Sequence, residues 1–234
     1  MKIGLWNIDH PEYHPSSPRR HRRRQEIIAY LRRRHCDIFI LTETNAAISL
    51  PGYHALLSQE SPFHNRSRNY EPPNKYHQVG IYSRFPLDRV EISEPINGVL
   101  GHAVWENRPF FIYGNVITIK DRWAQDSGKT YADRLTEQLA ICSRLTSETF
   151  VIGGDFNLRL GWTQKKKAYQ RVKKCVNEHG LAWPTAQQTK TVQHIIHSQD
   201  IISTIEIDAS VQHEKGKRNA LSDHPFLLID IKIL

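Results

Sequence analysis

Phe150-Val151-Ile152-Gly153-Gly154-Asp155-Phe156-Asn157 is an apolar run that stops abruptly at a carboxylate and an amide. Three apolar residues closed by a glycine pair are too short for a helix, so Phe150–Gly153 reads as a buried strand. A carboxylate placed just beyond such a strand is held rigidly and still reaches solvent. The same design recurs along the chain. Lys2–Trp6 reads as a strand followed by Asn7 and Asp9. Asp37–Thr42 contains Ile38-Phe39-Ile40-Leu41, apolar without alternation as in strands covered on both faces, and Glu43 follows it. Asp223 and His224 precede Phe226–Ile231. Four strand edges carrying acids, amides and an imidazole predict that these edges converge.

The remaining pattern fills in around them. Val79–Ser83, Pro109–Ile117 and Val192–Ile196 are further strand candidates. Leu135, Leu139, Cys142 and Leu145 predict an amphipathic helix over 131–146. Ala168, Val172, Cys175 and Val176 predict another over 165–179, with Gly180 as its stop. Ser17-Pro18 has the form of an N-cap and first-turn proline for a helix burying Ile27, Ile28 and Leu31, although a start near Gln25 is the alternative. Residues 58–77 are polar and form a long loop, functional or disordered. No linker, composition shift or short-period repeat divides the chain, so residues 1–234 read as one domain. Strands with irregularly interspersed helices suggest an α+β or layered α/β sandwich.

Composition bounds the partners. The 234 residues are 39% hydrophobic, enough for a core at this length without staples. Three cysteines, Cys36, Cys142 and Cys175, without a CxxC pair, argue against a disulfide scaffold or a structural zinc cluster. The absence of a long apolar run predicts no membrane span, and the N-terminus lacks the form of a signal peptide. The expectation is a soluble, monomeric protein of the reduced cytoplasm. Lys and Arg number 32 against 24 Asp and Glu, for a net charge of +8. The excess clusters at Arg19, Arg20, Arg22, Arg23 and Arg24, at Arg32–Arg34 and at Lys165–Lys167. Such runs are either a footprint for a polyanion or a solvated helix face. Five Arg in the first turns of a helix oppose its dipole and call for a nearby anion.

Clustered carboxylates and amides form a hard oxygen environment suited to Mg²⁺ or Mn²⁺, and like charges so close would raise one another's pKa without a cation. Hydrolysis of a phosphate ester needs a cation on the phosphoryl oxygens, a base for water, and donors for developing charge. Asp155 is a candidate base, His224 a candidate donor or base, and Asn157 a neutral donor. The 13 His are mostly scattered, His10 among them, and form no zinc pair of the HExxH type. No GxSxG elbow, Walker loop or GxGxxG competes with this constellation.

Five blocks, Leu5-Trp6-Asn7-Ile8-Asp9, Asp37–Thr44, Val79–Leu87, Gly153–Asn157 and Leu221-Ser222-Asp223-His224-Pro225, resemble in order the endonuclease/exonuclease/phosphatase superfamily of deoxyribonuclease-I-like and apurinic-site endonucleases. The resemblance runs from residue 5 to 225. It implies a four-layer α/β sandwich with two packed mixed sheets, and divalent-metal-dependent phosphoester hydrolysis. It implies Glu43 as principal metal ligand with Asn7 and Asp9 beside it and Asp223 approaching the metal. Asp155 and Asn157 would orient the attacking water and the phosphate, and His224 would contact the scissile phosphate. Two positions depart from the pattern. Gln193 stands where the family has an Asp that holds the catalytic His; its amide oxygen could accept the same hydrogen bond without supplying charge. Ile117 falls where many members have a His or Tyr, which leaves Asn115 as the alternative polar contact.

Nucleic acid is the expected partner. The 58–77 loop carries Arg66 and Arg68, and the loop with Lys120, Arg122 and Trp123 interleaves cations with an aromatic, as base-stacking surfaces do. Hydrolysis of a small phosphorylated molecule, or nucleic-acid binding by an eroded site, are the alternatives.

Overall fold

The computed structural model describes residues 1–12, 17–61, 76–93, 95–119, 128–161, 166–212 and 221–234. Strand β1 (Lys2–Asn7) leads into helix α1 (Pro18–Arg34), β2 (Ile38–Asn45), β3 (His54–Leu57), β4 (Tyr76–Ser83), β5 (Asp88–Val90), β6 (Gly98–Trp105) and β7 (Arg108–Val116). Helix α2 (Tyr131–Arg144), β8 (Phe150–Asp155), α3 (Lys166–Glu178), β9 (Gln193–His197), β10 (Ile201–Asp208) and β11 (Phe226–Ile233) complete the order. One sheet has six strands in the order β10-β11-β1-β2-β4-β3, the other five in the order β5-β6-β7-β8-β9. Both are mixed: β1 runs parallel to β2 and β7 to β8, while neighbours such as β2 and β4 or β8 and β9 are antiparallel.

Layering explains the uninterrupted apolar runs. In β2, Ile38 and Ile40 pack into the seam between the sheets with Phe110, Ile112 and Val151. Phe39 and Leu41 face the other way and meet Ile27, Tyr30 and Leu31 of α1. In β8, Val151 enters the seam, whereas Phe150 and Ile152 lie under Leu135, Leu139 and Val172 of α2 and α3. The result is the four-layer α/β/β/α sandwich that the resemblance implies.

Helix α1 begins at Pro18, where the Ser17 side chain accepts from the Arg20 N–H at 3.4 Å, so the later start near Gln25 is excluded. Its first turn holds no acid of its own. The anions come from the β1–α1 connection instead: buried Glu12 pairs with Arg20, and Asp9 lies 3.2 Å from Arg23. Arg34 at the far end sits 3.7 and 3.6 Å from Glu206 and Asp208. The arginine run is therefore partly an internal brace, a role that neither the polyanion footprint nor the solvated helix face includes; Arg19, Arg22, Arg32 and Arg33 remain exposed. Helix α3 stops at Gly180, whose left-handed φ of 58° lets Leu181 N–H reach the Val176 carbonyl at 2.8 Å.

Four strands escaped the sequence reading. Gly98 and Gly101 dilute the apolar pattern of β6, and β3 and β5 are four and three residues long. Strand β10 does alternate, its even-numbered positions 202, 204 and 206 being exposed, and it lies at a sheet edge. Trp6 and Trp183 are buried and Trp105 packs on Phe85 at 4.8 Å, as packing residues should; Trp162 lies outside the described residues.

Gly154 pairs with Asn115 across the parallel β7–β8 ladder, and a Cβ there would drive into the Asn115 backbone carbonyl. Backbone cannot yield without breaking the ladder next to Asp155. Gly154→Ala is expected to destabilise the fold by roughly 3 kcal/mol, read as a lower urea midpoint; an unchanged midpoint would refute this close approach.

Candidate active site

Asn7, Asp155 and Gln193 meet because strand alternation aims them all into the seam. In β1, Ile3 and Leu5 pack between the sheets, so Asn7 continues that face; Val151 and Ile195 set the same face for Asp155 and Gln193. Asn7 Nδ2 donates to Asp155 Oδ2 across the two sheets at 2.9 Å, and both residues are essentially inaccessible to water. Asp155 Oδ1 accepts the Asn157 N–H at 2.9 Å, and Asn157 Nδ2 donates to the Ile117 carbonyl at 3.1 Å. His224 Nε2 stands 3.9 Å from Asp155 and 3.4 Å from Asp223. Its loop is anchored by Ser222, whose hydroxyl donates to the Asn7 carbonyl at 2.6 Å and accepts the His224 N–H at 3.0 Å.

Glu43 reaches this cluster by a local break. Continued alternation in β2 would send it to the α1 face with Phe39 and Leu41. It adopts a left-handed φ of 53°, and its carboxylate comes under the influence of Asp155, Asp9, Asp223 and the Asn7 amide. Asp9, His10 and Asn157 also have positive φ, at 51°, 43° and 50°. Such backbone persists only where surrounding contacts over-determine it, and here it gathers around one cluster. Burial first, and then the Asp155 carboxylate, push the Glu43 carboxyl up to about 8; the Asn7 amide partly offsets this. Burial likewise raises Asp155, against the opposing pull of His224 and the Asn157 N–H.

Two residues missed by sequence reasoning belong here. His10 Nε2 lies 3.2 Å from Glu43 Oε2, and the His10 N–H donates to the Glu43 carbonyl at 3.0 Å. Nothing but its position after Asp9 distinguished it from the other histidines. Arg23 donates to the carbonyls of Ile8, Asp9 and Leu221 at 2.8, 3.1 and 3.0 Å, besides the Asp9 carboxylate. Through these bonds α1 holds the loop after β1 and the loop before Asp223 together.

Two expected contacts come out differently. The Gln193 oxygen accepts the Asn7 N–H at 3.4 Å and its amide donates to the Leu5 carbonyl at 3.3 Å. It braces β9 to β1 and is not bonded to the His224 ring, whose carboxylate neighbours are Asp155 and Asp223. An amide serves both a donor and an acceptor of β1, which an Asp cannot. Asn115 lies on the β7 face of Tyr113 and Ile117, opposite Asp155, with no hydrogen bond to Asn7, Asp155 or Glu43 among the described residues. Arg66, Arg68, Lys120, Arg122 and Trp123 lie outside the described residues.

The donor set fits a hard divalent cation. Four carboxylates, Glu43, Asp155, Asp9 and Asp223, interact closely enough to raise Glu43, which is the frustration a cation relieves. Among the described residues no three His, Cys, Asp or Glu side chains form a ready-made cage. Mg²⁺ needs none, since it is commonly held by one or two carboxylates with water and phosphate completing the shell.

Two mixed sheets joined over an Asn–Asp–His cluster with a strained Glu at its edge define a class of hydrolases. The profile of the Endonuclease/Exonuclease/phosphatase family matches residues 4–224, and the chain belongs to that family. Its members are hydrolytic enzymes, nucleases and phosphatases, and generally use divalent metals. No curated protein sequence matches this chain. An endonuclease/exonuclease/phosphatase from Bacteroides vulgatus has a similar structure, with TM-score 0.70 and 12% identity over 100% of this chain and 98% of that one. The human Nocturnin catalytic domain, solved with bound sulfate, gives 0.69 and 14% over 100% and 93%. The Neisseria 3′ phosphatase NExo, solved with a product DNA hairpin, gives 0.64 and 13% over 99% of each chain. At these identities the likeness is one of fold.

The raised Glu43 sets a pH dependence. Between about 4.5 and 8 the folded carboxyl keeps a proton that the unfolded chain has lost, so stability falls as pH rises through that window. In chelator, the Tm of Glu43→Gln minus that of wild type should grow from pH 5 to 8, and saturating Mn²⁺ should raise the wild type most at the upper end. A pH-independent difference would refute the crowded-carboxylate picture. Separately, Arg23→Ala should cost about 2 kcal/mol in urea unfolding. Arg23→Lys should recover only part of it, because an ammonium cannot span carbonyls of both loops; full recovery would mean that charge alone matters.

Proposed function

We propose that this hydrolase is a divalent-metal-dependent nuclease that cleaves nucleic-acid phosphodiester bonds by water attack. The observation that carries the reading is the buried Asp155 carboxylate, oriented by Asn7 at 2.9 Å and the Asn157 N–H at 2.9 Å, with His224 at 3.9 Å. Asp155, made more basic by burial and closed to bulk solvent, accepts the proton of a single attacking water admitted on its His224 side. Its two hydrogen bonds hold it in one orientation, so little reorganisation is needed. His224, anchored through Ser222 and beside Asp223, donates to the phosphate as charge develops there. Glu43, with Asn7 alongside and Asp9 and Asp223 at the more exposed rim, would hold Mg²⁺ or Mn²⁺, which when bound neutralises phosphoryl oxygens.

Charge supports a nucleic-acid substrate. The chain carries +8, and exposed Arg22 adjoins Arg23, which touches Asp9 at the site, while exposed Arg19 lies about one turn before it. Arg66, Arg68, Lys120, Arg122 and Trp123, which lie outside the described residues, are the substrate contacts we assign from their charge and aromatic character. The similar Neisseria enzyme was solved with product DNA. The inward pairing of Arg20 and Arg34 favours a second reading, a small phosphorylated substrate, by thinning the basic surface. Three free thiols support a reducing, cytoplasmic setting.

A panel of single- and double-stranded DNA, RNA, abasic DNA and phosphomonoesters in Mg²⁺, Mn²⁺ and chelator tests this. The expected result is metal-dependent cleavage of a polynucleotide, reduced at least about 100-fold in Glu43→Gln and Asp155→Asn. Binding should weaken with salt by about 0.9 log unit per log unit of salt for each duplex phosphate contacted. Turnover of monoesters alone, without salt-dependent binding, would replace this reading with the second; equal cleavage by wild type and Glu43→Gln would remove both.

A further inference from the structure

The His10 imidazole beside Glu43 is the feature that the hydrolytic scheme leaves unused. Their backbones are locked side by side by the bond from His10 N–H to the Glu43 carbonyl at 3.0 Å, and each residue holds a left-handed φ, 43° and 53°. The imidazole is steadied edge-on against Tyr76, with ring centroids 5.7 Å apart. His10 and Glu43 side chains are 23% and 26% exposed, so solvent reaches both.

We propose that His10 and Glu43 together form a nitrogen–oxygen chelate for the divalent cation, and that the site therefore prefers Mn²⁺ to Mg²⁺. The inference rests on the metal-dependent reading above. Adjacent ligands on a six-coordinate ion with bonds of about 2.1 Å stand about 3 Å apart; His10 Nε2 and Glu43 Oε2 are 3.2 Å apart. With Nε2 as the unprotonated nitrogen, the two donor atoms have the spacing of neighbouring ligands on one ion. An all-oxygen site suits Mg²⁺, which accepts imidazole poorly, whereas transition-series ions gain affinity from it. Asp9, the next residue back, has a carboxylate oxygen 3.2 Å from Arg23, whereas the His10 imidazole stands directly against Glu43.

Manganese titration of the full chain, followed by electron paramagnetic resonance, tests the proposal without reference to turnover. Free Mn²⁺ signal gives the affinity, and electron spin-echo modulation reports whether nitrogen is bound directly. Wild type should bind Mn²⁺ more tightly than Mg²⁺ in competition and show nitrogen coupling. His10→Gly, a substitution suited to left-handed backbone, should lose the coupling and weaken Mn²⁺ by about tenfold or more while changing Mg²⁺ little. His10→Asn, which also tolerates that backbone, gives the same comparison should the glycine variant melt early. Mn²⁺ that depends on Glu43 but shows no nitrogen coupling, or coupling that persists in His10→Gly, overturns the chelate and leaves the nuclease reading standing. Failure of either ion to bind in a Glu43-dependent way overturns both.

Discussion

A hydrogen bond from Asn7 to Asp155, 2.9 Å long and sealed from water, holds the arrangement together. Its partners end the first strand of one sheet and a central strand of the other, 148 residues apart in the chain. Beyond this bond and the two that Gln193 makes to β1, the described seam between the sheets is mainly apolar contact, which is strong but not directional. A buried carboxylate with an amide aimed at it tolerates only one relative position of the sheets, because leaving either group unsatisfied in that environment is costly. The bond thus sets the geometry of the site while it closes the edge of the core.

Around this bond the loops are over-determined. Asn7 also accepts the Asp9 N–H at 2.9 Å, Ser222 ties the His224 loop to the Asn7 carbonyl, and Arg23 grips both loops from the helix side. These restraints account for the left-handed backbone at Asp9, His10 and Glu43, conformations that non-glycine residues seldom hold unaided. Polar groups that could have relaxed into solvent are instead pressed together, and the elevated Glu43 carboxyl records that pressure. A cation is the natural complement to such a cluster. The helix that supplies Arg23 resolves its own difficulty in the same way: its crowded arginines find Asp9 and Glu12 on the adjoining connection.

The legible parts of this protein were those with local causes. A strand covered on both faces must be apolar at consecutive positions, so β2 and β8 were visible in the chain. A helix with one buried stripe must repeat its apolar residues at helical spacing, so α2 and α3 were visible too. Gly180 and Ser17-Pro18 marked helix ends because left-handed backbone and a missing N–H are properties of single residues. Strands β3 and β5 were too short to show a period, and β6 is diluted by glycine.

The sequence by itself marked the strands covered on both faces, left the layering to the family resemblance, and nominated Asn7, Glu43, Asp155, Asn157 and His224, since a polar residue closing a buried strand is a local pattern. Only the tertiary structure decided which polar groups touch. It moved Gln193 from the histidine to the backbone of β1, set Asn115 on the far face of its strand, turned Arg23 inward and brought His10 to Glu43. Contacts of this kind depend on left-handed φ angles and on the register between two sheets, and neither is encoded in the spacing of residues along one strand.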